Sequence, residues 1–237
     1  MWVPPTLDME EAVQRIKTHD DITTARLIFP YWWAWCVVNR SQPALVYDLN
    51  CNSGYGCRII AEQQKHEPFK IVGCDNNEEY VKHAREFYAE RKRVEFQYLN
   101  LQVDFAAQFH SVLPDVIILF NTLDRLRHRD LVLLGLVDYM KADGTLLLAF
   151  DETNSHHSSR GRKSEHSITY GRDDLSRLLP RFFEKVYWWI DDDFPSQDFV
   201  TDVREASCKD APQSHYTHLF GPNLVACHNP IKKVNRK

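Results

Sequence analysis

Gly54 and Gly56 are two of only eight glycines in 237 residues, and both fall in YDLNCNSGYG (47–56), where an apolar run passes into a polar turn. A strand-to-helix turn that approaches a nucleotide needs glycine for two reasons. A side chain there obstructs the ligand, and the backbone often requires a positive φ. Asp75 comes twenty-one residues after Gly54, at the end of the next apolar run, FKIVGCD (69–75). A carboxylate so placed accepts both hydroxyl hydrogens of a ribose and fixes the orientation of the sugar. The chemistry suggested is nucleotide binding at the carboxyl edge of a sheet. The plain alternative is an ordinary strand–helix–strand unit ending in a solvated aspartate, and these residues alone do little to separate the two.

Other conspicuous groups carry less. HHSSRGRKSEH (156–166) has adjacent histidines without the spacing or the Cys or acid partners of a metal site, so no metal is expected. IDDDF (190–194) reads as a solvated strand end, and YWWAWC (31–36) as aromatic packing beside a sheet rather than a stacking platform. Six cysteines form no CxxC pair and several sit in apolar runs, as small buried hydrophobes of a reducing compartment do. A net charge of −4 gives no global attraction to nucleic acid or to an anionic membrane. MWVPPTLDMEE has neither a basic nor an apolar signal region, and LIFPYWWAWCVV (27–38) is too short to span a bilayer. A cytoplasmic protein is expected.

The elements that must position Gly54, Gly56 and Asp75 follow from the apolar pattern. ALVYDLN (44–50), FKIVGCD (69–75), RVEFQYLN (93–100), DVIILF (115–120) and GTLLLAF (144–150) have nearly continuous apolar centres, which suits strands covered on both faces. Helices are expected between them at 56–65, 77–91 and 128–141. Asn76 would cap the second, with Glu79 three residues on as in a capping box, and Lys92 and Arg93 would complement its far end. This alternation predicts an α/β fold with a doubly wound, mostly parallel sheet and right-handed crossovers. After residue 150 the order changes. A polar stretch (151–167) reads as a loop, a short helix (172–179) ends at Pro180, and FFEKVYWWID (182–191) and NLVACHN (223–229) read as further strands. One domain is expected: an N-terminal helical cap (1–43), a core (44–150), and a loop with C-terminal strands (151–237).

In order along the chain, YDLNCNSGYG, IVGCDNN and VEFQYLN resemble the class I S-adenosylmethionine-dependent methyltransferases, whose pattern is D-x-G-C-G-x-G-x-G, then V-G-x-D, then V-x-F-x-x-x-D. The likeness continues through DVIILFNTLDRL (115–126), LVDYMKADGTLLLAF (136–150) and EHSITYGRDDLSRLLPRFFEKV (165–186), the last being similar to small-molecule members. It covers about residues 44 to 190 and implies a seven-stranded Rossmann-like sheet with an antiparallel C-terminal strand, binding S-adenosyl-L-methionine. Carried over residue by residue, it implies a cofactor site. Asp48 ends the first strand, and the turn bearing Asn50, Asn52, Gly54 and Gly56 wraps the methionine and ribose portion. Asp75, followed by Asn76, holds the ribose hydroxyls. Asn100 accepts from the adenine amino group beside Leu101, and Phe120 and Asn121 face the transferable methyl. Arg26 matches an arginine near the cofactor carboxylate, although a helical arginine is as readily solvated.

The sequence departs from the pattern at Asn50 and Asn52, which replace glycines, and at Asn100, which replaces an acid. Asparagine is the residue other than glycine that best tolerates a left-handed backbone, where others lose roughly 1–2 kcal/mol. The backbone path is therefore expected to survive, with added bulk beside the ligand. For the proton of an oxygen or nitrogen acceptor, the resemblance offers His166, with Glu165 beside it, as base. Asp124 is a second catalytic candidate, although it reads more readily as a helix N-cap. No DPPY or NPPF-like segment follows the fourth strand, which argues against methylation of nucleic-acid bases. The expected activity is methyl transfer to an oxygen or nitrogen of a small molecule, with sugars and secondary metabolites among the open acceptor classes. No nucleic-acid or membrane partner is expected, and an oligomer stays open. The alternative is a protein of methyltransferase fold with weakened catalysis that serves as a binding partner or scaffold. A nicotinamide-dependent dehydrogenase fits worse, because Tyr55 occupies the third glycine position of its fingerprint.

Overall fold

The structure is a computed structural model that describes residues 30–31, 33–35, 37–39, 41–102, 112–123, 126, 128–150, 172–188 and 224–232. Arg26, Asp124 and His166 lie outside the described residues, as do 156–166 and 190–194.

The apolar runs become strands where expected, most of them trimmed by a residue or more at one or both ends, the last running one residue further to Pro230. They are β1 Leu45–Leu49, β2 Lys70–Asp75, β3 Val94–Tyr98, β4 Val116–Phe120, β5 Thr145–Ala149, β6 Phe183–Trp188 and β7 Leu224–Pro230. They form one sheet in the order β3-β2-β1-β4-β5-β7-β6. The pairs β1–β2, β1–β4, β2–β3 and β4–β5 are parallel, and β7 runs antiparallel to both β5 and β6. The helices are α1 Tyr55–Gln63, α2 Glu78–Phe87, α3 Arg129–Tyr139 and α4 Arg172–Leu178, the last followed by a 3-10 turn at Leu179–Arg181. The described residues between 30 and 41 are largely helical and precede β1.

Because successive strand side chains point to opposite faces, the sheet divides the core in two. Val46, Ile71, Phe96 and Ile118 face a layer holding Ile60 of α1, Val81 and Ala84 of α2, and Trp33 and Val38 of the N-terminal helical residues. Tyr47, Leu49, Val72, Ile117 and Leu119 face Leu133 and Leu136 of α3 and Leu175 of α4. Both layers are buried, which explains why the strands read as continuous apolar runs rather than alternating ones. The strands' amino ends are tied by Asp115, whose Oδ2 accepts from the backbone N–H of Ala44 (3.0 Å) and Leu45 (2.9 Å), while its Oδ1 accepts from Lys141 Nζ (2.5 Å).

The ends of α2 correct the sequence reading. Asn77, not Asn76, is the N-cap, its Oδ1 accepting from the N–H of Glu79 (3.0 Å) and Tyr80 (3.4 Å). The cause is Asp75, whose Oδ1 accepts from the Asn77 N–H (2.9 Å) and holds residues 75–77 in a turn, so the helix starts one residue late. At the other end α2 stops at Phe87, with Arg85 as the basic residue in its last turn. Lys92 and Arg93 lie beyond it, and Arg93 instead donates to Gln64 O (2.5 Å) and pairs with Glu67.

Candidate active site at the carboxyl edge of the sheet

The sheet order reverses between β1 and β4, since α1 and α2 cover one face and α3 the other. Ligands of open α/β sheets bind in the crevice outside the strand ends at such a point. Here the crevice is a cleft lined by Asn50 after β1, Asn76 after β2, Leu99 to Gln102 after β3, and Thr122 and Leu126 after β4. Its volume of about 190 Å³ is several times the ≈ 30 Å³ share of a water molecule, so it admits an organic group. Leu99, Leu101 and Leu126 give it an apolar wall, and the asparagines, Gln102 and Thr122 give it a polar one.

The turn above the cleft is built by positive φ at three alternate positions: Asn50 (64°), Asn52 (52°) and Gly54 (81°). The two asparagines therefore hold the left-handed backbone that glycine usually supplies, which is the tolerance expected of them. Local bonds fix the path. Asn52 Nδ2 donates to Asn50 O (3.2 Å), the Gly54 N–H to Cys51 O (3.0 Å) and the Cys51 N–H to Cys74 O (2.9 Å).

Gly54 has the positive φ that the sequence suggested, and both glycines have a further reason. A Cβ on Gly54 would lie 2.2 Å from the Phe96 ring, and one on Gly56 would lie 2.1 Å from the Tyr31 ring. The close approach that excludes side chains here is made by the protein's own aromatics, so neither position requires a ligand to explain it.

Asp75 closes the turn from below. Its Oδ2 accepts from the Asn52 N–H (2.8 Å) and its Oδ1 from the Asn77 N–H, and the residue is 3% exposed. Burial raises its pKa, opposed by the backbone N–H groups of Asn77, Asn52 and Asn76. Three backbone N–H groups thus converge on this carboxylate and clamp the turn. Asn100 also shapes its own turn: its Oδ1 accepts from the Gln102 N–H (2.9 Å).

The structure thus gathers Asn50, Asn76, Asn100 and Leu101 around one cleft, with Asn52 and Asp75 bonded to each other within the adjoining turn. It sets other candidates apart. Asp48 is fully buried behind the turn, accepting from Tyr31 Oη (3.4 Å) and Cys57 Sγ (3.2 Å). Burial raises its pKa to about 7, against those two hydrogen bonds and with help from the Asp75 charge. Phe120 belongs to an aromatic cluster with Tyr31 (5.1 Å between centroids) and Trp33 (6.2 Å), not to the cleft lining. Asn121 has φ 49°, and its N–H donates to Ala149 O (2.7 Å), joining the ends of β4 and β5.

Sequence reasoning did not name Thr122, Gln102 or Leu126 as cleft residues, nor Tyr31 and Cys57 as partners of Asp48. Thr122 had a usable signal, since polar residues just after a strand at the switch point are the ones that meet a ligand. Tyr31 and Cys57 had none, because contacts across seventeen and nine residues leave no local spacing to read. The four described cysteines, Cys51, Cys57, Cys74 and Cys227, are unpaired and buried. No helix among the described residues is long and apolar enough to cross a membrane.

The fold and the cleft define a Rossmann-like α/β protein of methyltransferase type, and comparison with known proteins agrees. Residues 47–146 match the family described as methyltransferase domain. The plantazolicin methyltransferase BpumL, solved with a triazolic desmethylPZN analog and SAH, superposes with a TM-score of 0.63 at 15% identity, covering 93% of this chain and 92% of that one. The plantazolicin methyltransferase BamL, solved with the same class of analog and SAH, gives 0.62 at 12% identity, covering 95% and 92%. A SAM-dependent methyltransferase from Aquifex aeolicus gives 0.53 at 16%, covering 92% and 98%. No protein of curated function matches by sequence. Residues 47–146 thus match a methyltransferase domain, and the chain has the fold of S-adenosylmethionine-dependent methyltransferases.

Proposed function

We propose that this chain transfers a methyl group from S-adenosylmethionine to an oxygen or nitrogen of a small molecule. The observation that carries the reading is the switch-point cleft, with an apolar wall and a polar wall, beside a turn closed by the Asp75 carboxylate. These features suit a nucleoside. Leu99 and Leu101 offer faces to a planar base, Asn100 an acceptor for its amino group, and Asp75 an acceptor for ribose hydroxyls. The donor supplies a sulfonium carbon already activated by its charge, so the chain's task is alignment and exclusion of water. In this reading the Asn50–Gly56 turn orients the sulfonium end, Asn121 sits on the methyl side, Arg26 meets the donor carboxylate, His166 takes the acceptor's proton, and Asp124 is a second carboxylate toward the substrate. The acceptor is a small molecule because the charge balance and the absence of a DPPY-type segment disfavour nucleic acid.

Calorimetric titration with S-adenosylhomocysteine tests the cofactor site. Binding is expected for the wild type and not for Asn76→Trp. That substitution is at an exposed lining position, where stability changes stay within about 0.5 kcal/mol. No heat at millimolar ligand would remove the reading and favour a binding or scaffold role. Once an acceptor is known, an unchanged pH–rate profile in His166→Ala would remove His166 as base.

A further inference from the structure

Asn50 does more than replace a glycine. Its Nδ2 donates to Thr122 Oγ1 at 3.0 Å, and Thr122 Oγ1 donates to Phe120 O at 2.8 Å. A hydroxyl carries one proton. With that proton given to Phe120 O, Thr122 can only accept from the asparagine, which fixes the Asn50 amide with its nitrogen toward Thr122. The result is a polar strap from the end of β1 to the end of β4. Both residues line the cleft, and Thr122 is 5% exposed. The strap spans the one place where the strand order reverses. A ligand whose base lies against Leu99 and Leu101, beyond β2, must pass Asn50 and Thr122 to bring any further group toward β4.

From this geometry we infer that Asn50, held by Thr122, is a specificity-determining residue. The strap admits the nucleoside part of a ligand and opposes the part that extends across β1 to β4. The inference rests on the nucleoside reading of the cleft given above. Glycine at position 50 removes the obstacle without disturbing the turn, because φ is 64° there and glycine takes that conformation at no steric cost. Thr122→Val removes the acceptor of the strap at nearly constant shape and leaves Asn50 free to swing away.

The experiment measures the affinities of two probes that share a nucleoside and differ in what extends from it, S-adenosylhomocysteine and 5′-methylthioadenosine. In the wild type the two are expected to bind with similar strength. In Asn50→Gly, S-adenosylhomocysteine is expected to tighten about three- to tenfold, the range of one net hydrogen bond, with 5′-methylthioadenosine unchanged. Thr122→Val should move the same ratio in the same direction, and the double variant should gain no more than Asn50→Gly alone. A merely structural role for Asn50 would move both probes together or neither. Either result, or additive effects of the two substitutions, overturns the inference and leaves the functional reading standing. Failure of the wild type to bind both probes removes the functional reading, and this inference with it.

Discussion

At the residue scale the unusual group is Asp48, an ionisable side chain with no solvent exposure. It lies near the end of β1, behind the turn at residues 50–54, and Tyr31 and Cys57 donate to it. Those two bonds do not offset the burial, and with the neighbouring Asp75 charge its pKa rises to about 7. An unfolded aspartate titrates near pH ≈ 3.9. Between these two values the folded state keeps a proton that the unfolded state has released. Stability contributed by this group is therefore present at low pH, falls as pH rises from about 4 to about 7, and is level above that. The full loss is on the order of 4 kcal/mol. Urea unfolding of the wild type and of Asp48→Asn across pH 5 to 8 isolates the effect from that of other carboxylates. The variant is expected to gain on the wild type by several kcal/mol over that interval. A difference that stays constant with pH would show that Asp48 is ionised throughout.

At the scale of elements, the strand–turn–helix unit at β1 was the most legible part of the molecule, yet for partly mistaken reasons. Continuous apolar runs reported strands covered on both faces, and they fixed β1 to β5 within a residue or two. Glycines in the turn reported a tight backbone, but sequence cannot say what presses against them. At Gly54 that is Phe96 of β3, and at Gly56 it is Tyr31 of the N-terminal helical residues. The start of α2 was misplaced by one residue, because Asn76 and Asn77 are equally good caps in isolation and only Asp75's bond to the Asn77 N–H separates them. The packing role of Gly54 predicts that Gly54→Ala is costly without any ligand present. A left-handed alanine loses roughly 1–2 kcal/mol, and forcing the Phe96 ring aside adds about 1–3 kcal/mol. Thermal unfolding should show a loss of about 2–5 kcal/mol. In a Phe96→Leu background the penalty should shrink toward the backbone cost alone. An equal penalty in both backgrounds would mean that the ring is not what excludes the side chain.

At the scale of the whole molecule, three of the four parallel pairings join strands consecutive in sequence, whereas β7 skips β6 to pair with β5. That explains why residues 44–150 were read with assurance while the cleft's outer parts were not. Helix periodicity and strand patterning are local, whereas β7 inserts between β5 and β6 from the far end of the described chain. The same end secures α3. That helix has no basic residue in its last turn, so its terminal carbonyls lack the cation that would complement their negative end. Lys232, two residues beyond β7, supplies it: its Nζ donates to Val137 O (2.6 Å), to Asp138 O (3.4 Å) and to Met140 O. Burial lowers the lysine's pKa, opposed by the Asp138 charge, so the net gain is smaller than three charged hydrogen bonds would suggest. Lys232→Met keeps the apolar stem and removes the donor, leaving carbonyls that water reaches only in part. It should lower the urea midpoint by the equivalent of about 1–3 kcal/mol with an unchanged slope. Lys232→Arg, which keeps the charge, should recover part of that loss. A methionine variant as stable as the wild type would mean that α3 is held by its buried face against β4 and β5 alone, and that the C-terminal tether adds nothing to the sheet it closes.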